Sequence, residues 1–171
     1  RLQQARIAIP ENVELVPIDF ETTSLTEGLR ASSFDPNLPT FVSWLGVMVY
    51  LTQDAIDAVF QFVLSLPPTS EIVFTFTQPR TSTRSEQSQK QHYPGLAELA
   101  AHYGEDWKTL ITTDDLVNYL QGLGFTAITL PTQTEIDTGY IQNRQDGLQA
   151  SLRMAIASAI VPDFIIRKPI L

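Results

Sequence analysis

The stretch that decides the fold is Pro39-Thr40-Phe41-Val42-Ser43-Trp44-Leu45-Gly46-Val47-Met48-Val49-Tyr50-Leu51. It is too apolar for a strand with one wet face, and it breaks at a glycine, as a buried strand does where sheet passes into loop. Upstream, the run Val13-Glu14-Leu15-Val16-Pro17-Ile18 closes on Asp19-Phe20. It reads as an earlier strand with a carboxylate at its carboxyl end, where open α/β sheets place ligand contacts. Two strand ends separated by a helix imply one cleft.

Between them, Ser24 and Glu27 have the spacing of a capping box, with Leu25, Leu29 and Phe34 continuing one helical face until Asp35-Pro36. After the second strand, Thr52 is a good N-cap, and Ala55, Ile56, Val59, Phe60, Val63 and Leu64 recur at intervals of three and four. Pro67-Pro68 stops that helix. Residues 71–77 are β-branched and aromatic in alternation and predict a third strand. Strands alternating with helices imply parallel crossovers, hence an α/β fold with helices on both faces of a mostly parallel sheet.

From Gln78 into residue 92 the composition turns to Gln, Ser, Thr and Arg and predicts a polar loop. A helix is expected around Leu96 to Tyr103. Another starts at Thr112, with Thr112 and Asp115 capping it, Leu116, Leu120 and Leu123 forming a stripe, and Gly124 closing it. Phe125 to Leu130 predicts a strand. Leu152 to Val161 is ambiguous, because Ala, Met and Arg favour helix; its place after a Gly turn favours an edge strand, which is the reading adopted.

Composition narrows the function. At 171 residues, with 43% hydrophobic and 18% charged residues, the chain suits one globular domain, and a formal charge of −8 argues against nucleic-acid or anionic-membrane partners. There is no cysteine, and His92 and His102 stand without a ligand cluster, so no metal is expected. No apolar stretch approaches the roughly 20 residues of a membrane span, and no signal-peptide pattern opens the chain, so a cytoplasmic location is expected.

VPIDFE at 16–21 and SWLGVMVYL at 43–51, with GEDW at 104–107 and YIQNRQDGL at 140–148, resemble the C-terminal part of the leucine carboxyl methyltransferase-like family of S-adenosylmethionine-dependent enzymes. The resemblance implies a Rossmann-like class I methyltransferase fold. In that family a glycine-rich loop after the first strand holds the methionine part of the cofactor, and an acidic residue after the second strand binds the ribose. Neither occurs here, since the eight glycines never form a G-x-G between strand and helix. The resemblance is thus to the later half of one methyltransferase domain, spanning residues 1–171, with the N-terminal strands missing. Such a chain would be inactive alone, and it would either self-associate through open apolar strands or require the missing segment.

By the same resemblance, Asp19 would accept from the exocyclic amine of adenine and Phe20 would offer its backbone N–H to the ring. The alternative is that Asp19 ends a strand or caps a turn. Where Leu45 stands the family usually has Glu; Trp44 and Leu45 could form an apolar wall beside adenine or the sulfonium, and Trp44 could equally be a large core residue. Asn143 replaces a usual Gly, and Arg144 and Asp146 are expected to pair across a turn. No acid–base pair appears at a strand end, which suits transfer to a small-molecule carboxylate, an acceptor already ionised at neutral pH. The rival reading is a catalytically silent α/β binding or assembly module lacking the cofactor half.

Overall fold

A computed structural model of the chain describes residue 2 and residues 4–79, 100–147 and 154–163. Most of the expected polar loop, the start of the helix expected near Leu96, and His92 lie outside the described residues. In order, the elements are α1 (Leu25–Leu29), β1 (Phe41–Trp44), a 3-10 turn (Met48–Tyr50), α2 (Gln53–Leu64), β2 (Glu71–Thr77), α3 (Thr113–Leu123), β3 (Ala127–Thr129), α4 (Gln133–Ile136), a π-helical turn (Asp137–Ile141) and β4 (Met154–Ile160).

The four strands form one sheet in the order β1-β2-β4-β3. β1 and β2 are parallel, and β4 runs antiparallel to both its neighbours, so β1, β2 and β3 share a direction and β4 opposes them. The α/β class expected from the sequence holds. β4 is a strand, but an internal one rather than an edge: it pairs with β2 from Glu71↔Ile160 to Thr77↔Met154 and with β3 from Ala127↔Ile160 to Thr129↔Ser158. Its alanines explain why. Ala159, Ala157 and Ala155 stand opposite Ile72, Phe74 and Phe76, so small residues on one strand leave room for large ones on the next. Packing of that kind overrides the helix preference of alanine.

α2 buries Ala55, Ile56, Val59, Phe60, Val63 and Leu64, the stripe expected from the spacing. Phe60 is the hub of the core, with its ring 5.7 Å from Trp44, 5.1 Å from Phe74, 5.9 Å from Tyr119 and 5.9 Å from Phe125. These contacts place α2 and α3 on the same face of the sheet, over Ile72, Phe74 and Phe76; Val73 and Thr75, on the other face of β2, are half-buried. The two helices are also joined by Tyr119, whose hydroxyl donates to Asp57 at 2.5 Å. Burial and the adjacent carboxylate push that phenol well above the ordinary tyrosine range.

Two expectations near the N-terminus are corrected. The run 13–18 is not a strand: it pairs with no strand among the described residues, and Val13 and Leu15 are 44% and 60% exposed. It is instead tethered by side chains. Glu14 accepts from the N–H and hydroxyl of Ser33, at 2.8 and 2.6 Å, which holds its carboxyl below the usual range. Ile18 lies so close to α1 that a Cβ on Gly28 would come within 2.6 Å of its side chain, so a larger residue there would have to displace Ile18. α1 itself stops at Leu29 and does not reach Phe34. Ser32 ends it, its hydroxyl donating to the Leu29 carbonyl at 2.7 Å and accepting from the Phe34 N–H at 3.2 Å, a local alternative to helical bonding.

Candidate functional site

The carboxyl end of β1 is where the site residues gather. The second apolar run becomes strand only over Phe41–Trp44. Gly46, at φ +73°, then turns the chain, a backbone region that disfavours side chains, and its N–H donates to the Thr75 hydroxyl of β2 at 2.7 Å. The 3-10 turn that follows buries Met48 and Val49 and leads into Thr52 at the start of α2.

Against this rim packs the turn at 19–23. Asp19 heads it, with a carboxylate oxygen accepting from the Glu21 N–H at 3.0 Å and its carbonyl accepting from Thr22 and Thr23 at 3.1 and 2.8 Å. Asp19 therefore does cap a turn, and its side chain remains exposed to solvent. Phe20 is half-buried, its ring 6.4 Å from Trp44. The structure thus brings Phe20 and Trp44 together, with Asp19 beside them. Leu45 is not part of that contact: it is 51% exposed and, by strand alternation, falls on the face opposite Trp44.

Trp44 is 5% exposed and packs on Phe60 and Phe74. Its indole Nε1 is buried without a hydrogen-bond partner among the described residues, an unmet donor that costs about 1–3 kcal/mol. A donor of that kind next to Phe20 is a place where an acceptor atom would be stabilising.

Glu21 is the residue that sequence reading missed. One carboxylate oxygen accepts from the Thr52 N–H at 3.1 Å and from Lys108 Nζ at 3.1 Å, and the other accepts from the Thr52 hydroxyl at 3.0 Å. The Thr52 hydroxyl consequently does not cap its own helix. An anion at the start of α2 also meets the positive end of the helix dipole, and together these contacts hold the Glu21 carboxyl below the usual range. The available signal was Glu21 itself, next to Asp19-Phe20, although nothing local names partners 31 and 87 residues away.

Elsewhere, Arg144 pairs with Asp146 across a turn, as expected, and the pair is exposed. His102 is exposed, its ring edge-on to that of Tyr103 at 5.3 Å. Among the described residues no three His, Cys, Asp or Glu side chains are grouped to hold a metal, and no helix is long and apolar enough to cross a membrane.

Comparison with known proteins bears on the family and the fold. Residues 1–64 match the leucine carboxyl methyltransferase family model. The chain is 28% identical over 151 residues to YktD of Bacillus subtilis (strain 168), provisionally named an S-adenosyl-L-methionine-dependent methyltransferase, covering 88% of this chain and 49% of that protein. It is 35% identical over 72 residues to a Mycobacterium marinum (strain ATCC BAA-535 / M) protein of the same provisional name, covering 42% of this chain and 24% of that one. The chain therefore spans half or less of the length of these relatives. Among solved structures, the S-adenosylmethionine-dependent methyltransferase SibL in its apo form superposes with a TM-score of 0.51 at 13% identity, over 94% of this chain and 38% of that one, a likeness of fold. By sequence the chain is similar to leucine carboxyl methyltransferases over residues 1–64 and to YktD over most of its length, and its mixed α/β sheet shares the fold of the methyltransferase SibL.

Proposed function

We propose that the protein carrying this chain is an S-adenosylmethionine-dependent methyltransferase acting on an oxygen of a small molecule, with a carboxylate as the preferred acceptor. The chain would form the carboxyl-terminal portion of a single methyltransferase domain and be inactive alone. The observation that supports the reading is the tilted Phe20–Trp44 ring contact beside Asp19 at the carboxyl end of β1, in a chain similar to YktD over 88% of its length.

The residues present suit the adenine end of the cofactor. Asp19 has an exposed carboxylate able to accept from an exocyclic amine, Phe20 an aromatic face, and Trp44 an unmet N–H. Groups for the methionine end would come from outside this chain. S-adenosylmethionine, when bound, supplies an electrophilic methyl group and a neutral thioether as leaving group. What the protein must then do is align an acceptor oxygen with that methyl group and exclude water; an ionised carboxylate needs no base to remove a proton.

Calorimetric titration of the intact protein with S-adenosylhomocysteine tests this. Binding to the intact protein, and none to residues 1–171 alone, is expected. An intact protein that does not bind it would refute the reading.

A further inference from the structure

A second cavity lies on the same rim as the candidate cofactor site. It has a volume of about 270 Å³ and opens where β2 and β3 end and β4 begins, among Gln78, Leu130, Gln133, Ile136, Met154 and Ile156. β2 lies next to β1, and neighbouring strands are roughly 4.8 Å apart, so the cavity begins one strand away from β1 on the rim where β1 also ends. The hydrogen bond from Gly46 to Thr75 ties the two strand ends together.

Among the described residues no charged side chain lines this cavity. Its polar groups are amides and hydroxyls, and these are engaged: the Thr113 hydroxyl donates to Gln78, and the Gln133 amide donates to Asp137 at 2.8 Å. One wall is braced by a capping box, in which the N–H and hydroxyl of Thr132 donate to Glu135 at 2.7 and 2.8 Å while Thr132 caps the Glu135 N–H. The π-helical turn Asp137–Ile141 follows that wall directly. Such turns recur at functional sites.

We infer that this cavity seats the uncharged, apolar body of the methyl acceptor, leaving the reacting oxygen to reach toward the β1 end. The inference rests on the methyltransferase reading above. The cavity is a little smaller than the ~300–1,000 Å³ of clefts for drug-sized ligands, so it suits a compact body of a few aromatic rings or an acyl chain. A charged body would enter without a counter-charge and lose its hydration, which is costly.

The test is fluorescence titration of the intact protein with the neutral dye N-phenyl-1-naphthylamine and its anionic relative 8-anilinonaphthalene-1-sulfonate. The neutral dye should bind at least fivefold more tightly, and saturating S-adenosylhomocysteine should not displace it. Ile136→Glu and, separately, Met154→Glu should each weaken it at least tenfold; Met154 is 46% exposed and tolerates the change without unfolding. Phe41→Ser, on an exposed apolar residue of β1, controls for general surface adhesion and should leave dye affinity unchanged. Dye affinity that neither cavity variant alters, or that Phe41→Ser abolishes, overturns the cavity assignment in a protein that still binds S-adenosylhomocysteine. A protein that fails to bind S-adenosylhomocysteine overturns instead the methyltransferase reading, and with it the role of the cavity as an acceptor site.

Discussion

The carboxylate of Glu21 receives both the backbone N–H and the hydroxyl of Thr52, at 3.1 and 3.0 Å, and so fastens the Asp19-Phe20 turn to the first residue of the α2 entry. Lys108 completes the node from a third segment, itself bonded to Val49 through its backbone N–H at 2.8 Å. Three pieces of chain distant in sequence thereby meet beside the candidate cofactor site.

Glu21→Gln should lower the melting temperature at pH 7, and the deficit should depend on pH. Because the folded protein holds this carboxyl below its ordinary value of 4.5, the stabilisation is complete above that value and is lost as pH falls through the lower folded value. Parent and variant melting curves should therefore converge in strong acid. The deficit should also shrink in high salt, since Glu21 and Lys108 are partly exposed. A gap that persists unchanged at low pH would mean that Glu21 acts by shape and not by charge.

Asp19 tests the adenine contact. In the intact protein Asp19→Ala should weaken S-adenosylhomocysteine binding by about 1.5–3 kcal/mol, the range for a hydrogen bond to a charged group. Asp19→Asn can keep the acceptor oxygen that holds the Glu21 N–H, but sets an amide donor against a donor amine; it should lose affinity with little change in melting temperature. Unaltered affinity in both variants would leave Asp19 as a turn residue alone.

The alanines of β4 show where the sequence could and could not be read. α2, α3 and β2 were legible because each carries its own period and its own stop, from the Ala55–Leu64 stripe to Gly124. β4 was half legible: the strand could be placed, but its internal position depends on Ile72, Phe74 and Phe76 across the sheet, which no local pattern contains. The run 13–18 misled for the converse reason. Apolar residues there satisfy the pattern of a strand, yet strand structure needs a neighbour to bond, and none adjoins it among the described residues. Of the candidate site, Asp19 and Phe20 were singled out by resemblance, although no strand precedes them, and Trp44 by its strand end, whereas the contacts of Glu21 arise only through Thr52 and Lys108.

That packing argument is itself testable. Ala157 is 1% exposed opposite Phe74, so Ala157→Leu should destabilise by about 1–3 kcal/mol in urea unfolding through overpacking. Ser158→Val, on the other face of the same strand and half-buried, should change stability by less than about 0.5 kcal/mol. Equal effects would mean that the large-to-small matching across β2 and β4 is not what places β4 inside the sheet.

β1 pairs with β2 on one side and has no partner on the other among the described residues, while Phe41 is 65% exposed. Open apolar strands are templates for further pairing. Residues 1–171 alone should therefore associate in sedimentation velocity at micromolar concentration, and Phe41→Lys should shift the population toward monomer. A stable monomer of the parent chain across that range would show that the β1 edge is adequately protected by its own surroundings.

The chemistry can be tested through pH. Asp19, the carboxylate beside the Phe20–Trp44 contact, is proposed to hold adenine and not to move a proton, and its carboxylate oxygen accepts from the Glu21 N–H. A carboxylate acceptor, with a pKa near 4, is fully ionised above about pH 6 and needs no deprotonation in the active site. With cofactor saturating, the intact enzyme's rate on such an acceptor should vary little between about pH 6 and 9, because alignment and not proton removal limits transfer. An alcohol or phenol acceptor would behave differently, its reactive fraction rising tenfold per pH unit below its own pKa. A rate that climbs in that way through neutral pH would exclude the carboxylate while leaving methyl transfer to oxygen intact.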